Sequence, residues 1–345
     1  MAKLLFDERL AIDGQELTKK YIQSLSFEER GELIPLIFKI LRECTFIFPD
    51  DEKKLTKQYT RLVQYKPDIS SDEVFNNSSL ATGICKHFCH SFYYSTEPGK
   101  RTLIGAFNDD ELLRRVIRNR LGMDWYHQDS GGAGVNEAFN LSFKMIIQGM
   151  RSMRLVPSIS IFKPDVAKYI CLRYSKEGDL VGDYSAGFGA RMLGALSCAR
   201  KYIGTDPLTV PELKSMGKFL GLKEYTIIPQ GSEHYRGEEN SVDLYWSSPP
   251  YYNQEKYSDD ITQAYNQGED YFYNSYWKRT LENVKFMLKP GKWFGLNVAN
   301  NERMVMMANE HFGPPVETVR LRTVRSHLTK SAGIVKFEPI YMYIN

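Results

Sequence analysis

The run Ser247-Ser248-Pro249-Pro250-Tyr251-Tyr252 brings hydroxyls, proline carbonyls and aromatic rings together at one point of the chain. It follows Val242-Asp243-Leu244-Tyr245-Trp246, an apolar and aromatic run that reads as a buried strand. Proline has no N–H to donate, fixes φ and restricts the residue before it. The sequence therefore predicts a stiff corner at the carboxyl end of a strand, with carbonyls that the sheet cannot pair. Such a corner can accept hydrogen bonds from a planar amino group while the ring stacks on the base that carries it. Paired prolines also occur in plain turns, so the upstream context matters.

That context is Gly182-Asp183-Tyr184-Ser185-Ala186-Gly187-Phe188-Gly189-Ala190-Arg191, after Leu180-Val181 and before Met192-Leu193-Gly194-Ala195-Leu196. The pattern is strand, glycine-rich turn, helix. Gly187 and Gly189 allow positive φ and let a ligand approach the backbone. A second apolar run, Tyr202-Ile203-Gly204, ends in Thr205-Asp206-Pro207. An acid there, about twenty residues past a glycine turn, is the expected partner of ribose hydroxyls.

Together these elements resemble the S-adenosylmethionine-dependent amino-methyltransferases that act on nucleic-acid bases. In that family a Phe-Gly turn binds the methionine end of the cofactor, and a (Asp/Asn/Ser)-Pro-Pro-(Tyr/Phe) corner holds the target amino group. Phe162-Lys163-Pro164 is similar to the family's Phe-x-Pro element, which closes over the cofactor. The resemblance covers residues 158–345; the turn and Gly231-Ser232-Glu233 look closest to phage-type and bacterial DNA methylases. It implies a Rossmann-like class I methyltransferase fold of α/β class, mostly parallel with an antiparallel edge strand. A mainly helical N-terminal domain, residues 1–155, would precede a catalytic domain at 156–345.

The same resemblance implies cofactor contacts from Phe162, Asp183, Ser185, Ala186, Gly187, Phe188, Gly189, Asp206 and Ser232. Asp183 would lie near the methionine moiety, with Phe188 packing beside the cofactor and Phe162 acting as a lid. Asp206 would take the ribose hydroxyls, and Ser232 or Gln230 the adenine. The catalytic positions would be Ser248, Pro249, Pro250 and Tyr251, transferring a methyl group from S-adenosylmethionine to the exocyclic amine of a base in DNA. That amine is a poor nucleophile because its lone pair is delocalised into the ring. Accepting its protons with the Ser248 hydroxyl and the Pro249 carbonyl would draw nitrogen toward tetrahedral geometry, which is orientation plus electrostatic stabilisation. Tyr251 would stack on a base flipped from double-stranded DNA, a step that costs a few kcal/mol. Tyr252 and Trp246 are expected in the core. Serine at the first motif position resembles the cytosine-N4 enzymes more than the adenine-N6 ones, so N4 is favoured. Methylation of RNA or of a hypermodified base stays open, as does a catalytically silent nucleic-acid-binding protein.

The positioning elements read as follows. From residue 158 strands and helices alternate, which calls for a parallel-rich sheet covered on both faces. Strands are expected at Leu180–Asp183, Tyr202–Asp206, Thr226–Ile228, Ser241–Trp246, Trp293–Val298, Val319–Val324 and Ile334–Ile344, with a long helix over Tyr271–Leu288. Earlier in the chain, Ser26 and Glu29 form a capping box, and Pro35 marks the first turn of a second helix. Asn108-Asp109-Asp110-Glu111 caps a helix that carries Arg114, Arg115, Arg118 and Arg120. Those arginines could meet phosphates or form a solvated face. A second basic stretch holds Arg320, Arg322, Arg325, His327 and Lys330, and the loop from Asn253 to Ser258 could close on the flipped base. Residues 129–135 read as a glycine-rich loop.

Cys85-Lys86-His87-Phe88-Cys89-His90 packs its would-be ligands too tightly for tetrahedral zinc, so a helix with buried cysteines is expected and no metal. The 5 cysteines are odd in number and scattered, against a disulfide framework. A formal charge of +3 with 25% charged residues excludes a strong global field aimed at a polyanion, so nucleic acid would need a local patch. No apolar run reaches membrane-spanning length and no signal-peptide core is visible. The expectation is a cytoplasmic enzyme of restriction–modification or phage type, with DNA as partner, no membrane, and a monomeric or homodimeric state.

Overall fold

The computed structural model describes residues 4–49, 52–75, 80–127, 133–135, 137–157, 159–252, 256–299, 301–322 and 337–345. The chain forms two compact units. One comprises Met1–Asp50, His90–Ile159 and Glu255–Tyr257; the other comprises Asp51–Cys89, Ser160–Gln254 and Ser258–Asn345. The division is thus spatial, and residues 51–89 cluster with the later part of the chain.

The first unit is mainly helical. Its longest helix, Phe27–Glu43, starts at the capping box: Ser26 Oγ accepts from Glu29 N at 3.2 Å, and Ser26 N donates to Glu29 Oε2 at 2.7 Å. Pro35 lies inside this helix and does not open a second one. Proline removes one helical hydrogen bond, but Pro35 is on the exposed side while Ile37 and Leu41 keep the buried stripe continuous. Burying two such aliphatic side chains contributes about 3–6 kcal/mol, enough to override one local breaker. The helix Asp110–Arg120 is capped by Asp109, whose Oδ1 accepts from Leu112 N at 3.0 Å. Three of its four arginines are used within the unit. Arg114 lies 3.6 Å from the Phe38 ring centroid, Arg118 pairs with Asp124, and Arg120 is 5% exposed against Phe139.

The second unit is built on one sheet. Its strands are β1 (Glu73–Phe75), β2 (Leu180–Asp183), β3 (Lys201–Thr205), β4 (Tyr225–Ile228), β5 (Val242–Ser247), β6 (Leu288–Asn297), β7 (Glu317–Arg322) and β8 (Phe337–Ile344). Its helices are α1 (Glu52–Gln64), α2 (Thr82–Phe88), α3 (Pro164–Tyr174), α4 (Ala190–Leu196), α5 (Val210–Phe219), α6 (Lys278–Met287) and α7 (Glu302–Phe312). The strand order is β1-β7-β8-β6-β5-β2-β3-β4. Among the described residues β8 alone runs against its neighbours, pairing antiparallel with both β6 and β7. This is a Rossmann-like, mostly parallel sheet with its antiparallel part toward one edge. β1 extends that edge in parallel with β7, Glu73 facing Arg320.

The expected strands form to within a few residues of their bounds, in their described parts. β5 is buried at every position, as a strand covered on both faces must be. The expected helix over Tyr271–Leu288 is instead a π-helix, Tyr271–Trp277, running into α6. Among the described residues no helix is long and apolar enough to cross a membrane.

At the centre, Gly182 sits opposite Tyr245 in the register. A Cβ there would stand 2.8 Å from three carbons of the Tyr245 ring. The Gly182→Ala variant is expected to lose about 1–3 kcal/mol of stability through this overpacking, read from urea unfolding; a loss under about 0.5 kcal/mol would mean the ring can move aside.

Candidate active site

The carboxyl ends of β2, β3 and β5 lie side by side, and the loops that leave them carry the residues singled out above. β2 ends in Asp183, which is 0% exposed. Its Oδ1 accepts from Ser185 N at 3.1 Å and from Ser247 Oγ at 2.6 Å. Its Oδ2 accepts from Arg191 Nε at 2.8 Å and from Tyr202 Oη at 2.7 Å. All the lone-pair directions of the carboxylate are therefore taken. Asp183 acts through these neighbours and has no acceptor to spare for a ligand.

The turn that follows is left-handed at Gly187 (φ 52°) and Gly189 (φ 79°). Gly189 also needs its missing side chain for space, since a Cβ would meet Leu213 Cδ2 at 2.6 Å. Gly187 is half-buried and uncrowded, the nearest atoms to a Cβ being 3.7 Å and 3.8 Å away. Ala186 and Phe188 are buried, and Ala186 N donates to Thr205 O at 2.9 Å. Ser185 donates its hydroxyl to Tyr184 O at 2.7 Å, and its carbonyl accepts from the Arg191 guanidinium.

Asp206 clasps this turn. Its Oδ2 accepts from Gly187 N at 2.9 Å, and its Oδ1 accepts from Leu208 N and Thr209 N, each at 2.8 Å. Thr209 Oγ1 closes the loop by donating to Gly187 O at 2.7 Å. Burial raises the Asp206 pKa against these lowering amide contacts. Unlike Asp183, Asp206 keeps one acceptor direction, on Oδ2.

Ser232 is buried, with its hydroxyl 2.7 Å from Thr280 Oγ1 on α6. Asn283 Nδ2 donates to the carbonyls of Ser232 and Glu233 at 3.0 Å and 3.3 Å. The loop after β4 is thus pinned to α6, and the Ser232 side chain is engaged there. The neighbouring Glu233 carries the unspent group: it is 5% exposed, Tyr271 Oη donates to its Oε1 at 3.3 Å, and Oε2 has no partner. Tyr276, from the π-helix, brings its hydroxyl to 3.4 Å from Ser185 Oγ. Burial raises the Tyr276 hydroxyl well above the usual phenol range, so it stays neutral.

At the end of β5 the two serines part. Ser247 is buried and bonded to Asp183; Ser248, the first residue past the strand, is half-buried. Pro249 is buried, and Pro250 and Tyr251 are half-buried. The Tyr251 hydroxyl accepts from Ala299 N at 3.2 Å, which holds the ring over the end of β6. Trp246 is in the core as expected, while Tyr252 is half-buried with its ring 5.6 Å from Phe272 and 6.5 Å from Tyr273. The half-buried Phe162 ring stands edge-on to Trp246 at 5.5 Å, with the Arg191 guanidinium 5.6 Å from its centroid. Asn297 is the last residue of β6, one past the register pair Leu296–Ser247. Asn297 is 1% exposed, its Nδ2 donates to Pro339 O at 3.1 Å, and its Oδ1 has no partner.

Residues 253–255 of the loop after the corner, Arg325, His327 and Lys330 of the basic stretch, and residues 129–132 of the expected glycine-rich loop lie outside the described residues, while Ala133–Val135 of that loop is instead a short strand paired antiparallel with Trp125–His127. Arg320 pairs with Asp72 and Glu73 within the unit. Cys85 and Cys89 are buried around α2, where burial pushes the Cys85 thiol up to about 12. No cluster of His, Cys, Asp and Glu that could hold a metal occurs among the described residues.

No family model matches this chain, and no curated protein matches it. Solved structures do align. TrmN from Thermus thermophilus is 15% identical with a TM-score of 0.39, over 53% of this chain and 48% of that one. The SAM-dependent O-methyltransferase from Thermotoga maritima is 14% identical with a TM-score of 0.36, over 64% and 77%. The 16S rRNA N2 G1207 methyltransferase RsmC of T. thermophilus, solved with AdoMet and guanosine, is 16% identical with a TM-score of 0.38, over 55% and 44%. The aligned chain spans about half the length of TrmN. It is the strand order of the sheet that identifies the fold.

Sequence reading did not pick out Arg191, Tyr202 and Ser247 as partners of Asp183, nor Glu233, Tyr276 and Asn297. The Asp183→Asn variant is expected to be about 3–5 kcal/mol less stable, because it leaves the buried Arg191 guanidinium uncompensated. Replacing both Asp183 and Arg191 by Leu and Met should cost less than the single change. Urea unfolding of the two variants checks this; equal losses would show that the ion pair is not what the fold depends on here.

Proposed function

We propose that this chain is an S-adenosylmethionine-dependent methyltransferase acting on the exocyclic amine of a base in DNA, cytosine N4 before adenine N6. The observation that carries the reading is one of placement. The glycine turn, Asp206 and the Ser-Pro-Pro-Tyr corner arise from separate parts of the chain, yet all lie at the carboxyl ends of neighbouring strands. Ligands of open α/β sheets bind at such ends.

The residues present fit the cofactor. Gly187 leaves the space a side chain would fill, Asp206 Oδ2 keeps an acceptor for a ribose hydroxyl, and Glu233 Oε2 is an orphaned buried acceptor suited to an amino or hydroxyl donor. Ser185, Ala186, Phe188 and Gly189 shape the turn, Phe162 walls its Arg191 side, and Ser232 holds the loop that presents Glu233. When bound, S-adenosylmethionine supplies an electrophilic methyl group. The chain's own residues supply orientation. Ser248 and the Pro249 carbonyl accept the amine protons, Pro250 stiffens the corner, and Tyr251 stacks on the base. Serine in place of a carboxylate favours cytosine. We assign target recognition to residues 1–155, with the arginines of the helix Asp110–Arg120 engaged mainly in packing.

Incubating the protein with isotopically labelled S-adenosylmethionine and unmodified genomic DNA, then digesting and identifying labelled nucleosides, tests this directly. Label in N4-methylcytosine is expected. Label in N6-methyladenine would overturn the base assignment, and label only in RNA would move the substrate. Absence of cofactor binding would sink the whole reading. Two variants separate the roles. Gly187→Asp places a side chain and a charge beside Asp206 at positive φ and should abolish cofactor binding. Tyr251→Ala should keep cofactor affinity within about twofold and lower kcat/KM by about ten- to a hundredfold, the worth of one stacked base.

A further inference from the structure

Helices α3 and α4 run against each other backbone to backbone. A Cβ on Gly194 would stand 2.4 Å from Ala167 Cβ and 2.7 Å from Lys168 N. One helical turn beyond Ala167 comes Cys171; one turn beyond Gly194 comes Cys198. Further along, Arg200 Nε donates to Ser175 Oγ at 3.1 Å and Arg200 Nη2 to Ser175 O at 2.6 Å. Contacts on both sides thus bracket the two cysteines and set them face to face, with Cys198 Sγ donating to Gly194 O and Ala195 O, each at 3.3 Å. Both are free. Neither has a part in the methyl-transfer site described above.

We propose that Cys171 and Cys198 form a reversible oxidation site that closes to an intramolecular disulfide on exposure to hydrogen peroxide.

The two thiols differ in the way such a site requires. Cys171 is fully buried, and burial raises its thiol well above the ordinary value. Cys198 is half-buried and therefore the one a peroxide reaches. The Cys171 side chain lowers its thiol, helped by the Arg200 and Lys168 cations. Lys168 is held in place by donating to the Leu62 and Val63 carbonyls at the end of α1, both at 2.8 Å. A thiolate in an electropositive, partly accessible setting is the reactive form.

The steps balance. The Cys198 thiolate attacks one peroxide oxygen, the O–O bond breaks, and the leaving hydroxide takes a proton to become water. Cys198 is then a sulfenic acid. The Cys171 sulfur attacks Cys198 Sγ, the S–S bond forms, and the S–O bond breaks. The departing oxygen leaves as a second water with the Cys171 proton. Two thiols are oxidised by two electrons, and the peroxide is reduced to water. Exchange with a reduced dithiol restores the pair.

Peptide mapping of the full chain after stepwise hydrogen peroxide, with free thiols alkylated under denaturing conditions, decides the matter. The expected result is a Cys171–Cys198 linked peptide, two hydrogens lighter than the sum of its parts and lost on treatment with dithiothreitol. Its formation should be roughly tenfold faster than oxidation of the half-buried Cys44, which lacks the cationic setting. In Cys171→Ser, Cys198 should stop at sulfenic acid and be trapped by dimedone. In Cys198→Ala, Cys171 should stay reduced. Survival of both thiols when Cys44 is consumed would overturn the proposal. So would Cys198 passing to sulfinic acid beside a reduced Cys171. The wild-type map settles the question even if the buried Cys171→Ser variant does not fold.

Discussion

The Asp183 carboxylate accepts hydrogen bonds from Ser185, Ser247, Arg191 and Tyr202 without contact with solvent. Those four donors lie on the glycine turn, the end of β5, the start of α4 and β3. One carboxylate therefore fixes where three neighbouring strands release their loops. A buried charge is tolerated only when it is paired and its lone pairs are used, and here both conditions hold. The left-handed turn at Gly187 and the stiff proline corner are both referred to this anchor. Loosening it would let the turn and the corner move independently, and a site made of both would lose its geometry.

A second clasp stands on the first. Asp206 grips the amide of Gly187 from the far side of the turn while capping Leu208 and Thr209. The turn is thus held from β2 by one acid and from β3 by another. Because the first acid is saturated and the second is not, the two acids divide the work. Asp183 is fully spent on support, and Asp206 keeps one acceptor direction beside the turn. A position-by-position transfer of roles from the family pattern would give both acids the same kind of duty.

Much of this was legible in the residues, for physical reasons that can be named. Buried parallel strands appear as apolar runs, and those at the site end in polar residues, Asp183, Thr205 and Ser247, so β2, β3 and β5 stand out. Positive φ demands glycine, so the turn could be placed at Gly187 and Gly189. What was not legible depends on non-local pairing or on parity. β1 is three residues long and gains its partner only through Arg320 and its neighbours, far along the chain. Ser247 and Ser248 are identical in type, and only the fold shows that it is Ser247, the last residue of β5, that reaches Asp183. Pro35 followed a sound local rule that a continuous buried stripe overrode. The arginines of Asp110–Arg120 present the same pattern whether they meet water or, as here, aromatic rings.

The π-helix completes the chain of causes from sequence to site. Tyr271 and Tyr276 are five residues apart. In an α-helix that spacing would turn the second side chain about 140° away from the first. In a π-helix, whose hydrogen bonds span five residues, the two project from nearly the same side. The widened turn is what allows Tyr271 to reach Glu233 while Tyr276 reaches Ser185. The same turn sets Phe272 and Tyr273 beside Tyr252 of the corner. A single irregular segment therefore touches the glycine turn, the loop after β4 and the proline corner. An ordinary helix there would have left one of the three unsupported, which is a physical reason for the departure from regular geometry to sit at this place.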